Sequence, residues 1–124
     1  MENKGKGLNH ARKAMSATLD GLSECFRREA AFRHECLVGV LNLVLALTIP
    51  RTWTETGVLL VVYLTLPMVE LLNSAVEETV DMVTKDWDER AKRAKDYGSA
   101  AVSIAIALVC ASWAVVLFRR FALP

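Results

Sequence analysis

From Gly98 to Phe118 the chain runs for 21 residues without a charged side chain. As a helix such a run rises about 31 Å, close to the roughly 30 Å of a bilayer's hydrocarbon core. One transmembrane helix is therefore expected here. Two shorter uncharged runs precede it, Cys36 to Ile49 and Val58 to Val69. Alone, runs of that length suit a buried helix of a soluble protein better than a span. Beside a full-length span, and joined by the short loop Pro50 to Thr56 with Trp53 at interfacial level, they read as two further spans. The chain is 53% hydrophobic and 23% charged, and the two classes are segregated along it.

The distribution of Lys and Arg sets the topology. Seven lie before the first span and five in the second loop, against one in the first loop and two in the tail. Three spans put the first two groups on one side, which the positive-inside rule makes cytoplasmic. Met1 to Lys13 is polar and lacks the apolar core of a cleavable signal. Cys25, Cys36 and Cys110 have no metal-ligand spacing and read as free thiols.

The expected organisation is a single integral-membrane domain over residues 1–124. A surface helix occupies about 9–28, with spans at about 30–49, 56–83 and 97–118. In the first segment Ala11, Met15, Leu19, Leu22 and Phe26 recur at helical spacing among charged residues, the pattern of a helix lying in the membrane interface. Residues 1–8 read as mobile. Pro67 is expected to disturb the second span, Asp96 to cap or nearly cap the third, and Glu29 to pair with Arg33 four residues on.

Acidic residues sit where a span should end. Glu70, Asn73, Glu77 and Asp81 follow the apolar run at spacings of three and four, on one helical stripe. Carboxylates at the edge of hydrocarbon need a partner: a cation, another helix or a substrate. Glu29, Lys95 and Asp96 map to the same level, where three segments converge. Paired carboxylates can hold Mg²⁺, an oxygen-seeking ion often shared with substrate phosphates. Lys95 can neutralise phosphate charge, and a spare carboxylate can take a proton from a hydroxyl. Simple pairing of these acids with basic neighbours is the competing reading. Glu24, Glu78, Asp86, Asp88 and Glu89 read as solvated. No phosphate loop, glycine-rich kinase loop or nucleophile elbow is present.

Four blocks carry a resemblance. They are Glu29-Ala30-Ala31-Phe32-Arg33-His34-Glu35, Glu70-Leu71-Leu72-Asn73-Ser74-Ala75-Val76-Glu77, Val80-Asp81, and Ala94-Lys95-Asp96-Tyr97-Gly98-Ser99-Ala100-Ala101-Val102. In this order and separation they resemble the small bacterial integral-membrane diacylglycerol kinases, whose close relatives include undecaprenol kinases. The resemblance implies an all-α membrane protein with three transmembrane helices and an amphipathic surface helix. It also implies a homotrimer in the bacterial inner membrane, with sites shared between subunits on the cytoplasmic side. The implied reaction moves the γ-phosphoryl group of ATP, with Mg²⁺, to the hydroxyl of diacylglycerol. By the same resemblance Glu70 is the general base and Glu29 and Glu77 are the metal ligands. Asn73, Lys95 and Asp96 are catalytic and nucleotide-positioning groups, and Glu35 and Asp81 brace the site. The alternatives are an undecaprenol kinase with the same site, and a non-catalytic membrane scaffold or cation-binding protein.

Overall fold

Four helices follow one another in a computed structural model that describes residues 2–122, with side chains from residue 9 onward. They are α1 (Glu2–Arg28), α2 (Ala30–Thr48), α3 (Trp53–Val83) and α4 (Glu89–Phe121). The last three are long and apolar enough to cross a membrane. With the amphipathic α1 ahead of them, the chain is an all-α membrane protein. α1 begins at Glu2, so Gly5 and Gly7 do not interrupt it. Met1 lies outside the described residues. The α1 stripe of Met15, Leu19 and Phe26 is exposed, as a helix buried in lipid on one face requires.

α3 is the central element, packed against both α2 and α4. Its contacts form two apolar layers. One joins Ala46 of α2, Leu59 of α3 and Val116 of α4, with Leu60 and Trp113 packed on it. The other joins Tyr63 and Leu66 of α3 to Ala105 of α4, with Val69, Val102 and Val109 around them. Small residues on α4 permit this approach, since lipid supplies no hydrophobic drive between helices and packing must. Most large apolar side chains of α2 and α4 instead face outward, among them Leu37, Val40, Leu41, Ile104 and Leu108.

Polar ties fix the helices further. Trp113 Nε1 donates to Asn42 Oδ1 at 2.9 Å, linking α4 to α2. Asn42 is buried. The Tyr63 hydroxyl donates to the Glu35 carbonyl, and the Tyr63 ring lies over Gly39, where a Cβ would sit 3.0 Å from its Cε1. At the start of α3, Thr52 and Glu55 form a reciprocal capping box. It explains why the helix begins at Trp53 rather than at 56. Glu55 is buried, and its other oxygen meets Arg119 Nη1 of α4 at 3.4 Å.

One expectation is corrected here. α4 starts at Glu89, because Asp88 accepts from the Arg90 and Ala91 amides at 2.7 and 3.3 Å and nothing downstream breaks the helix. Asp96 therefore lies inside α4 and is not its cap. α3 continues unbroken through Pro67. The ring removes one backbone bond, to the Tyr63 carbonyl, and flanking turns carry the helix on.

The Asn42–Trp113 bond is testable. Trp113→Phe keeps an aromatic ring and strands the Asn42 carbonyl, and should lower stability by about 1 kcal/mol in reversible detergent unfolding. Adding Asn42→Leu should recover part of that loss, because an unpaired buried polar group costs more than an apolar pair.

Candidate functional site

The acidic stripe predicted from spacing is present on the last turns of α3. Glu70 is 5% exposed. One turn on, Asn73 Nδ2 donates to Glu77 Oε1 at 3.1 Å. Asn73 Oδ1 is buried and accepts no conventional hydrogen bond. A turn beyond Glu77, Asp81 Oδ1 receives Lys95 Nζ of α4 at 2.6 Å. One face of α3 thus runs from a buried carboxyl to a half-buried carboxylate and then to an ion pair at the aqueous end.

Glu29 reaches this stripe from the junction of α1 and α2. It is the single non-helical residue between them, with extended backbone (φ −93°, ψ 116°). Although it occupies the cap position of α2, its side chain makes no capping hydrogen bond, so the carboxylate is available elsewhere. Glu29 and Glu77 both lie within electrostatic reach of Glu70. Arg33 does not take Glu29 as its partner. Its Nη1 donates to the Phe26 and Arg27 carbonyls at 3.1 and 3.0 Å. The last carbonyls of a helix lack backbone donors, and this guanidinium closes the end of α1.

Two clefts flank the stripe. The one between α3 and α4 has a volume of about 300 Å³, and Asp81, Lys85, Trp87, Lys92, Lys95 and Asp96 contribute to its lining. Lys92 Nζ bonds Asp96 Oδ2 there at 2.6 Å. The one between α1 and α3 has about 310 Å³ and includes Cys25, Glu29, Ser74 and Glu78. Burial pushes the Cys25 thiol up, and its hydrogen bond to Ser74 acts in the opposite direction.

The structure therefore gathers Glu29, Glu70, Asn73 and Glu77 into one group. Lys95 and Asp96 lie in the adjoining cleft, engaged with Asp81 and Lys92. Glu35 belongs beside the group: its Oε2 is buried without a hydrogen-bond partner, within electrostatic reach of Glu70. Glu24 and Glu78 are not simply solvated, since Arg28 meets them at 2.5 and 3.4 Å and ties α1 to α3. The Glu24 hydrogen bond raises the Arg28 guanidinium further above its usual range. The i,i+4 spacing of Glu24 and Arg28 is legible in the sequence, whereas the reach to Glu78 is not. Gly98, in sequence only one of a row of small residues, proves to pack directly on Asn73.

No cluster of three or more His, Cys, Asp or Glu stands ready for a metal among the described residues. Mg²⁺ does not need one, because it commonly takes one or two carboxylates and completes its shell with phosphate oxygens and water. Glu29 and Glu77 both offer carboxylate oxygens, and neither is engaged in an ion pair among the described residues. This donor set fits the ion.

Fold and site together define a small helical membrane protein that collects carboxylates at one end of its spans. The Prokaryotic diacylglycerol kinase family profile matches residues 16–117, and the chain belongs to that family. It is 38% identical to the diacylglycerol kinase of Haemophilus influenzae over 93% of this chain and 98% of that one. It is 38% identical to the diacylglycerol kinase of Escherichia coli K12 over 98% and 99% of the two chains, and equally so to that of Pseudomonas aeruginosa over 90% of each.

The cap that starts α4 also sets the register of Lys95 and Asp96. The Arg90 side chain, then the Arg90 and Ala91 amides, hold the Asp88 carboxyl below its ordinary value of 3.8. A depressed folded pKa means that the cap's contribution is complete above the unfolded value and is lost as pH falls through the folded one. Exchange protection of the Arg90 and Ala91 amides should therefore fall in Asp88→Ala at neutral pH. In the wild type it should fall only as pH drops below that ordinary value of 3.8. Asp88→Asn should retain most of it.

Proposed function

We propose that this protein is a diacylglycerol kinase. It transfers the γ-phosphoryl group of ATP to the hydroxyl of diacylglycerol and yields phosphatidic acid and ADP. The reading rests on family membership together with one observation: none of Glu29, Glu70 and Glu77 is in an ion pair among the described residues. A scaffold built on acid–base pairing would have used them. Here Asp81, Glu24, Glu55, Glu78, Asp88, Glu89 and Asp96 do the pairing, and Glu29, Glu70 and Glu77, with Glu35 beside them, remain for substrate and cation.

Glu70 is the group placed to accept the acceptor's proton. It lies closest to the hydrocarbon, where a lipid hydroxyl resides, and few other side chains there can take a proton. As the hydroxyl oxygen bonds to the γ-phosphorus, its proton passes to Glu70 and the bond to the β–γ bridging oxygen breaks, releasing ADP. Phosphoryl transfer asks mainly for alignment and charge neutralisation. Glu29 and Glu77 are the side chains to hold Mg²⁺, which when bound supplies charge neutralisation on the phosphoryl oxygens. Asn73 steadies Glu77 through its 3.1 Å bond. Lys95 lies within reach of nucleotide phosphates once it exchanges Asp81 for them, and Asp96 holds Lys92 in the same cleft.

One helix thus addresses a lipid and a nucleotide at once, and the bilayer itself brings the first substrate to the right depth. We place the site on the cytoplasmic side of the bacterial inner membrane, where the basic N-terminal segment and second loop lie by the positive-inside rule. We also propose a homotrimer with sites shared between subunits. The outward-facing apolar residues of the spans leave ample surface for that association.

The test is phosphoryl transfer from MgATP to diacylglycerol and to undecaprenol, side by side in mixed micelles. Transfer to diacylglycerol should depend on Mg²⁺ and fall by about 100-fold or more in Glu70→Gln and in Glu77→Gln, with assembly unchanged. Transfer to undecaprenol alone would keep the mechanism and change the substrate. Absence of transfer to either, from assembled protein, would overturn the reading.

A further inference from the structure

The Asn73 amide is held at both ends, but only one end is held by a conventional hydrogen bond. Its Nδ2 donates to Glu77. Its Oδ1 is buried, has no hydrogen-bond partner, and points at Gly98 of α4. A Cβ built on Gly98 would lie 3.2 Å from Asn73 Cγ and would overlap Oδ1 outright. The atom that occupies that direction is a glycine Cα hydrogen. A Cα–H facing a carbonyl oxygen at close helix contacts is a weak donor, and it serves an oxygen that would otherwise have none.

Two consequences follow for the amide. Its orientation is fixed, since turning it over would place Nδ2 against the Gly98 Cα and Oδ1 against the Glu77 carboxylate, with no donor for either oxygen. Its position is fixed as well, because α4 forms a wall that Asn73 meets at van der Waals contact. Gly21 and Gly57 do not share this role. They face open space, where a Cβ would meet nothing within 4 Å.

We propose that Gly98 is a positioning residue of this site. Its missing side chain admits the Asn73 amide between α3 and α4 and so sets the Glu77 carboxylate from the neighbouring helix. The part of this inference that concerns turnover rests on the kinase reading above; the part that concerns the Asn73 amide does not. The substitution Gly98→Ala would displace Oδ1, swing Nδ2 away from Glu77 and leave that carboxylate without its brace. The effect would fall on MgATP, which Glu77 serves, rather than on the lipid acceptor.

The experiment compares the wild type, Gly98→Ala and the control Gly57→Ala as full-length protein in micelles. Two readouts are taken: the side-chain amide signals of Asn73 in ¹⁵N NMR, assigned by their loss in Asn73→Ala, and KM for MgATP beside KM for diacylglycerol. Gly98→Ala should shift the Asn73 amide pair and raise the KM for MgATP roughly tenfold, as expected of a displacement near 1 Å at a binding group. The KM for diacylglycerol should stay within about twofold, and Gly57→Ala should change neither readout. In an Asn73→Ala background, Gly98→Ala should have no further effect, because the two substitutions act through one contact.

An unmoved Asn73 amide in Gly98→Ala would overturn the proposal, and so would a shifted amide with an unchanged KM for MgATP. If Gly98→Ala fails to assemble, recovery of assembly in Gly98→Ala/Asn73→Ala supports the contact, and failure to recover overturns it. Wild-type protein that transfers no phosphate would sink the kinase reading and with it the claim about MgATP. The NMR comparison would still decide whether Gly98 positions Asn73.

Discussion

Hydrocarbon does not solvate charge, and α3 is where that constraint becomes a site. Its apolar length crosses the bilayer level, and its acidic stripe begins where the apolar length ends. Glu70 stands buried at the boundary. Glu77 and Asp81 follow towards water. Because one rigid helix carries all three, the depth of each in the membrane is fixed by the length of apolar helix before it. α2 and α4 need only pack against α3 to bring Glu29 and Lys95 to the same level.

The hydrogen bonds between helices are few, and each has a distinct job. Asn42 and Trp113 join the two helices that flank α3 to each other. Tyr63 joins α3 to the α2 backbone at Glu35, about two turns before Glu70. Arg33 closes α1 rather than neutralising Glu29. That choice matters chemically: an arginine on Glu29 would have turned a potential ligand into a structural ion pair.

Much of the architecture is legible in the sequence for a plain physical reason. An uncharged run of 21 residues has few folded alternatives, and polar residues at helical spacing must share a face. The grouping of Glu70, Asn73 and Glu77 needs nothing more. Relations between helices are not legible in this way. Asp96 reads as the start of α4 because it directly precedes the uncharged run, and only the structure shows that Asp88 takes the amides. Glu29 reads as the partner of Arg33 because i,i+4 spacing favours it, while the helix break at Glu29 turns that carboxylate off the face. The tie from Arg28 to Glu78 and the contact of Gly98 with Asn73 depend on how far one helix is rotated about its axis relative to another. No single-helix pattern encodes that rotation.

The ties between α3 and α4 have a mechanical consequence. Glu55 meets Arg119 near one end of the pair and Asp81 meets Lys95 near the other, about 39 Å apart along α3. Each is a modest interaction, and the second is largely solvated. Yet all of them, with the apolar layers between, are satisfied in the same axial register. Sliding one helix past the other by a single residue, about 1.5 Å, would break both ends at once and lift every layer out of its seat. The α3–α4 pair therefore behaves as a strut of fixed length. Outside that strut, α1 and α2 are joined through a single non-helical residue, Glu29.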